Sequence, residues 1–284
     1  MTTPQLSGFA ATSQQRLARY QAERSALLQK IETILAQDQQ VGAAWLFGSQ
    51  GRGDGDALSD LDLFVIVADG CFDKFIADRY AYMAHMGEPT LILEAPQNWP
   101  PGGVYNMALY PGQDGPQQVD WYWVRQSVAQ IPAETHVLFD RVGLARLDQP
   151  THFDYASIPP CPPEEVASRH VHTFWVMLLI TAKYIARQPF DDVLTPPLDA
   201  LQETATFVGA TLPAALCQLP PLHEPPARVA HLRALAAEMV GLMPQVQARG
   251  GRVPEQIPAQ AHRYLDLVAA IIGDANNGFV TDTR

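Results

Sequence analysis

Residues 41–67 read VGAAWLFGSQGRGDGDALSDLDLFVIV, and this stretch decides the fold. Val41 to Phe47 is a short apolar run typical of a strand, and the glycine-rich polar segment from Gly48 to Asp60 indicates a turn and a loop. Leu61 to Val67 is rich in leucine, valine and isoleucine, as buried strands are. The pattern therefore predicts two strands joined by a polar loop.

The segments on either side predict a mixed α/β unit in the N-terminal half. Apolar residues recur at helical spacing from Ser13 to about Gln37, and Ser13 is a candidate cap for this helix. Thr90 to Leu93 and Gln118 to Val124 are two further strand candidates.

Past about Pro150 the sequence changes character. Prolines cluster in SIPPCPPEE, and the later apolar patterns are helical, with no convincing strand between them. The predicted helices are Pro162 or Pro163 to about Arg187, Leu198 to Ala210, Pro226 to Gln247 and Pro258 to Ile272. We expect an α+β fold, with a mixed-sheet domain and flanking helices at residues 1–150 and an all-helical bundle domain at residues 151–284.

Composition narrows the class of protein. A chain of 284 residues with 47% hydrophobic content can bury a substantial core, and its formal charge of -11 disfavours binding to nucleic acid. Three widely spaced cysteines provide neither a disulfide framework nor a CxxC metal site. No secretory signal is visible, and Phe174 to Ile185 is too short for a bilayer span. We expect a cytoplasmic protein without a membrane partner.

The polar loop carries residues suited to phosphate and metal binding. A turn at Gly48 and Ser49 can present backbone N–H groups and a hydroxyl to phosphate oxygens. Asp60 and Asp62 follow after ten intervening residues, and both carboxylates face one side because strand side chains alternate with period two. Such a pair can seat magnesium together with substrate phosphates.

A third acid completes the predicted set. Asp120 lies in an apolar, aromatic strand, where a lone carboxylate is costly unless it is paired or bound to metal. Beside a metal it could accept the proton of an attacking hydroxyl. Glu94 is the alternative base and a candidate contact for a cationic acceptor. Tyr122 is interpreted as a packing residue on the face opposite Asp120.

The spacing of Gly48-Ser49 and Asp60-x-Asp62 resembles the signature of the polymerase-beta-type nucleotidyltransferase superfamily. Further motifs follow the order found in bacterial aminoglycoside adenylyltransferases of the streptomycin type: Leu93-Glu94-Ala95-Pro96, Val119-Asp120, Val137-Leu138-Phe139-Asp140-Arg141, and Phe174-Trp175 with Ala182-Lys183-Tyr184-Ile185-Ala186-Arg187. The resemblance implies that two magnesium ions bind to Asp60, Asp62 and Asp120. It also implies that Gly48, Ser49, Arg52 and Lys183 contact the nucleotide.

Without the resemblance, two of these residues have simpler interpretations. Arg52 is equally well a solvated turn residue, and the stem of Lys183 could extend along an apolar helix to solvent.

The resemblance implies a magnesium-dependent enzyme that transfers AMP from ATP to a hydroxyl of a small molecule, with an aminoglycoside-like antibiotic, and hence antibiotic resistance, as the specific expectation. Pro111 to Gln118 departs from the acidic-glycine turn and basic residue of the antibiotic enzymes, so the acceptor stays open. A protein side chain or a metabolite is the alternative acceptor, and a nucleotide-binding module without turnover is the alternative function. The preferred nucleotide, the oligomeric state and the choice of Asp120 or Glu94 as base are also open.

Overall fold

The computed structural model describes residues 12–150, 162–187 and 194–276. Its strands are β1 Val41–Phe47, β2 Leu61–Val67, β3 Leu91–Glu94, β4 Gly103–Tyr110, β5 Gln117–Arg125 and β6 His136–Asp140. Its helices are α1 Ser13–Gln37, α2 Gly48–Arg52, α3 Phe72–Ala77, α4 Arg79–Met86, α5 Pro163–Arg187, α6 Thr195–Val208, α7 Pro225–Ala248 and α8 Ile257–Asn276. The expected domain boundary falls in residues 151–161, outside the described residues.

The strands form one mixed sheet in the order β3-β4-β5-β2-β1-β6. β2 and β5 are parallel, and the other neighbouring strands are antiparallel. The loop after β1 returns the chain as β2, so that Phe47 at the end of β1 pairs with Asp62 near the start of β2. The predicted pair of strands is confirmed, and the parallel pairing aligns Asp62 with Asp120.

Both faces of the sheet are covered, which explains why the central strands are apolar at almost every position. One face packs against α1, α3 and α4, whose buried residues include Ile31, Phe75 and Met83. The other face packs against the helices of the second half through a core that contains Trp45, Phe64, Phe174, Leu201, Leu235 and Leu265. Sheet and helices therefore share a continuous core, and the division into domains at residues 1–150 and 151–284 stays a prediction.

Five elements of the N-terminal half were not predicted as regular structure, namely the short helix α2, which was predicted as a turn, and α3, α4, β4 and β6. β4 was not predicted because Gly103 and Asn106 interrupt its apolar pattern. In the structure Asn106 is nevertheless fully buried and accepts a hydrogen bond from Arg79. The cap of α1 was also misplaced by one residue. Thr12, not Ser13, accepts the capping hydrogen bond from the backbone of Gln15.

The expectation of an all-helical second half is confirmed for the described residues. α5 begins at Pro163, and Glu164 and Glu165 lie in its first turn, where acidic groups interact favourably with the helix dipole. Among the described helices, none combines the length and the hydropathy that a membrane span requires.

Candidate active site

Strand register brings two of the predicted acids side by side. Asp62 of β2 is aligned with Asp120 of β5, and residues aligned across paired strands project to the same face of the sheet. Asp60 precedes β2 by one residue and is linked to this pair through Gln118. The Gln118 amide donates to Oδ2 of Asp60 at 3.1 Å and to Oδ1 of Asp120 at 3.0 Å. The three carboxylates therefore form one cluster.

Burial and mutual repulsion make this cluster electrostatically costly when all three groups are ionised. Burial, followed by the charge of Asp60, raises the pKa of Asp120 to about 7, against the opposing effects of Gln118, Lys183 and Tyr105. Burial, followed by the charges of Asp120 and Asp60, raises the pKa of Asp62 well above its ordinary value. A cation placed among these carboxylates would offset the repulsion.

Lys183 of α5 supplies positive charge from the helical half. Its side chain is 8% exposed, and its Nζ lies 2.8 Å from Oδ2 of Asp60. The structure thus places the Lys183 ammonium at the acidic cluster. It does not extend to solvent, which was the simpler interpretation of this residue. Its contact with the triphosphate stays a prediction.

The turn after β1 approaches the cluster closely. Gly48 has a φ of +63°, and a Cβ at this position would lie 2.3 Å from Oδ2 of Asp62. Glycine is therefore required both by backbone conformation and by space. The next residue, Ser49, lies in the short helix α2 with Arg52. The Gly48-Ser49 turn and the carboxylates meet as expected.

Arg52 lies at the solvent-facing side of this turn. Its side chain is 43% exposed, and Nε is 3.2 Å from Oδ2 of Asp54. The charge of Arg52 nevertheless acts to lower the pKa of Asp62, which places the guanidinium within electrostatic reach of the cluster. An exposed arginine of this kind can reorient toward a ligand at small cost.

The donor set fits a hard divalent cation, because carboxylate oxygens are the ligands that magnesium prefers. As the side chains stand, the described residues contain no group of three His, Cys, Asp or Glu side chains arranged to hold an ion. Asp60 instead accepts hydrogen bonds from Lys183 and Gln118. Metal binding by all three acids thus requires Asp60 to exchange its ammonium partner for the ion.

Glu94 is not brought together with the aspartates. It aligns with Asn106 of β4, whereas its neighbour Leu93 aligns with Met107 and, through it, with Asp120. Glu94 therefore projects to the opposite face, where it contacts Arg79, Tyr80 and Asn106. This geometry disfavours Glu94 as the general base and favours Asp120.

Glu94 borders a separate cavity at the free edge of β3. The cavity has a volume of about 320 Å³ and lies between this edge and α5. Its lining combines two carboxylates and two guanidinium groups with two hydroxyls, an imidazole and two apolar side chains: Tyr80, Ile92, Leu93, Glu94, Glu165, Ser168, Arg169, His172 and Arg252.

Sequence reasoning missed Tyr105, whose hydroxyl hydrogen-bonds to Asp120. Tyr105 lies on β4, which was not predicted, so no local signal pointed to it. The prediction that Tyr122 lies on the sheet face opposite Asp120 was wrong. Tyr122 is two residues from Asp120 and therefore projects to the same face, where it stacks on Phe64 with ring centroids 4.8 Å apart.

Comparison with known proteins bears on this site directly. Residues 29–93 match the family model described as "Polymerase beta, Nucleotidyltransferase". The matched segment contains the Gly48-Ser49 turn, Asp60 and Asp62, and it ends before Asp120 and Lys183. A search of curated proteins found no match.

Proposed function

We propose that the protein transfers AMP from ATP to a hydroxyl of a small molecule with the help of magnesium, because residues 29–93 match the family model of the polymerase-beta-type nucleotidyltransferase domain. The domain supports nucleotidyl transfer in general, whereas the nucleotide, the metal and the acceptor belong to the proposal. The observation that carries it is the convergence of Asp60, Asp62 and Asp120 beside the Gly48 turn.

In this proposal the three aspartates would hold two magnesium ions, and the chemistry supplied by the bound metal would be neutralisation of the triphosphate and polarisation of the reacting oxygens. Asp120 accepts the proton of the attacking hydroxyl. The acceptor oxygen then forms a bond to the α-phosphorus as the bond to pyrophosphate breaks. Hydrogen bonds from Tyr105 and Gln118 fix the orientation of the Asp120 carboxylate.

The triphosphate is assigned to the turn next to Asp62. In this proposal the backbone and hydroxyl of Ser49, which lies in α2, donate to phosphate oxygens, and Arg52 reaches them from its exposed position. Lys183 would release Asp60, which would then be free to hold the metal, and would pair with the triphosphate instead. Its ammonium is already at the cluster, so this exchange needs only a change of partner.

The cavity beside Glu94 is the proposed place for part of the acceptor. Leu93 is separated from Asp120 by a single strand, β4. Since neighbouring strands lie about 4.8 Å apart, the edge of the cavity is on the order of 10 Å from the base. Its charged lining favours a polar acceptor, and Glu94 is the predicted contact for a cationic group.

Mass spectrometry of candidate acceptors tests the proposal. Streptomycin, spectinomycin and lincomycin would each be incubated with the protein, magnesium and each nucleoside triphosphate in turn. We expect a mass gain of one AMP on an acceptor with ATP, and its loss in Asp120→Asn. Triphosphate binding without transfer to any of them would shift the proposal to a protein or metabolite acceptor. No magnesium-dependent triphosphate binding at all would contradict it.

A further inference from the structure

The turn that precedes Asp60 is closed by its own side chains. Oδ1 of Asp56 accepts hydrogen bonds from the backbone of Leu58 at 2.9 Å and from the hydroxyl of Ser59 at 3.0 Å. The backbone of Asp56 donates in return to the Ser59 hydroxyl at 2.9 Å. Residues 56–59 therefore form a compact unit, and its orientation sets the direction in which Asp60 leaves it.

Two arginines from different helices hold this unit from outside. Arg187 of α5 forms a two-pronged pair with Asp56, with Nε to Oδ2 and Nη2 to Oδ1 both at 2.7 Å, and Nη2 also reaches the Ser59 hydroxyl at 3.1 Å. Arg24 of α1, which is buried, donates to the carbonyl groups of Ala57 and Ser59 at 3.0 and 2.6 Å. The turn is therefore fastened to both halves of the protein.

The two residues of α5 that contact this segment have the same sequence spacing as their two partners in it. Lys183 and Arg187 are four residues apart, which places them on one face of the helix. Their partners Asp60 and Asp56 are also four residues apart. One contact joins α5 to a proposed metal ligand, and the other joins it to a residue outside the proposed metal site.

We propose that Arg187 is a positioning residue that acts through Asp56. It keeps the turn attached to α5, so that Asp60 retains its direction when Lys183 leaves it for the triphosphate. This inference rests on the proposed function, because it assigns metal to Asp60. A planar guanidinium suits this task better than an ammonium, since its two parallel hydrogen bonds fix the angle of Asp56 as well as its distance.

The exposed fractions of the two side chains distinguish a positioning role for Arg187 from a role in the global stability of the fold. The side chains of Arg187 and Asp56 are 27% and 48% exposed, so water can solvate either group when its partner is removed and no fully buried charge is left behind. Loss of Arg187 is therefore expected to leave the fold intact. Removal of groups that orient metal ligands typically weakens metal binding about 10- to 100-fold.

A calorimetric titration with Mn²⁺, in the absence of nucleotide and acceptor, tests the inference without any need for turnover. We expect Arg187→Gln to weaken Mn²⁺ binding about 10-fold and Arg187→Lys to recover part of the loss. Arg233→Gln is the matched control, because Arg233 pairs with Asp266 at 2.6 Å with side chains 30% and 50% exposed. It should bind Mn²⁺ as the wild-type protein does, and thermal melts of all variants should show that they are folded.

A double-mutant cycle tests whether Arg187 acts through Asp56. Asp56→Asn should weaken Mn²⁺ binding to a similar degree, and the double variant should bind no more weakly than either single variant. Wild-type affinity in Arg187→Gln, or losses that add in the double variant, would overturn the positioning role while the proposed function stands. A wild-type protein that binds no Mn²⁺ would overturn the proposed function and this inference with it.

Discussion

Replacement of Lys183 by methionine removes the ammonium from the acidic cluster and keeps most of the aliphatic stem. In the structure this ammonium is 2.8 Å from Asp60, and the side chains of Lys183 and Asp60 are 8% and 22% exposed. Its charge also acts to lower the pKa of both Asp62 and Asp120. We expect Lys183→Met to destabilise the metal-free protein, because Asp60 loses its ammonium partner and the repulsion among the three carboxylates is less well compensated.

The size of the effect follows from burial. Loss of one partner from a buried ion pair costs about 3–5 kcal/mol, and the residual exposure of Asp60 favours the lower end, about 3 kcal/mol. Each kcal/mol shifts the melting temperature by about 2–4 °C in proteins of this general size, so a decrease of roughly 6–12 °C is expected. A divalent cation that binds the cluster should restore much of this difference, since it replaces the lost charge.

Thermal melts at neutral pH, with and without Mg²⁺, measure both effects. Lys74→Met is the control, because Lys74 of α3 forms an exposed pair with Asp78, and the melting temperature of this variant should equal that of the wild type. Addition of Asp60→Asn to Lys183→Met should recover part of the stability by removing one uncompensated charge. A metal-free Lys183→Met protein that melts with the wild type would refute the electrostatic account of the cluster.

Three further predictions test other contacts. Gly48→Ala should cost about 1–2 kcal/mol of stability from its positive φ and weaken Mn²⁺ binding by displacing the Asp62 carboxylate, and wild-type affinity in a calorimetric titration would contradict this. Tyr105→Phe removes a hydrogen bond to Asp120, so it should lower the rate of pyrophosphate release about 10-fold while the free energy of unfolding changes by about 1 kcal/mol. An unchanged rate would rule out a role for Tyr105 in orienting Asp120. Burial, aided by the charge of Arg252 and opposed by a hydrogen bond with the backbone, lowers the pKa of His172 from 6.5 to about 4. Between these two pKa values the unfolded chain binds more protons than the folded protein, so the free energy of unfolding decreases as the pH falls. Denaturant unfolding should show a loss on the order of 3 kcal/mol from pH 6.5 to 4 in the wild type and a smaller loss in His172→Asn. An equal loss in both proteins would refute the lowered pKa of His172.

Local pattern was sufficient for the first part of the site. The strand ending at Phe47, the turn at Gly48 and the alternation of Asp60 and Asp62 all depend on residues close in sequence, and the structure has the two strands as predicted. Asp120 could be recognised because a carboxylate in an aromatic strand is costly unless it is paired. Its alignment with Asp62 is a property of the long-range parallel pairing, which no local pattern specifies.

The rest of the site depends on contacts that only the folded chain defines. The face of Glu94 follows from its register against β4, and β4 was missed because Asn106 and Gly103 interrupt its apolar pattern. Lys183 was selected through the family resemblance, since an apolar helix does not reveal which lysine faces a distant strand. Arg187 belongs to a motif that carries the family resemblance, but no local pattern pairs it with Asp56, which lies far away in the chain.

Binding of ATP in the presence and absence of Mg²⁺, measured by calorimetry on the wild type and on Asp62→Asn, tests the central claim most directly. Asp62 aligns with Asp120 and touches the Gly48 turn, so it links the proposed metal and phosphate sites. The account predicts that ATP binds tightly only with Mg²⁺ and that Asp62→Asn abolishes this dependence together with tight binding. Equal ATP affinity in both proteins, with or without Mg²⁺, would contradict it.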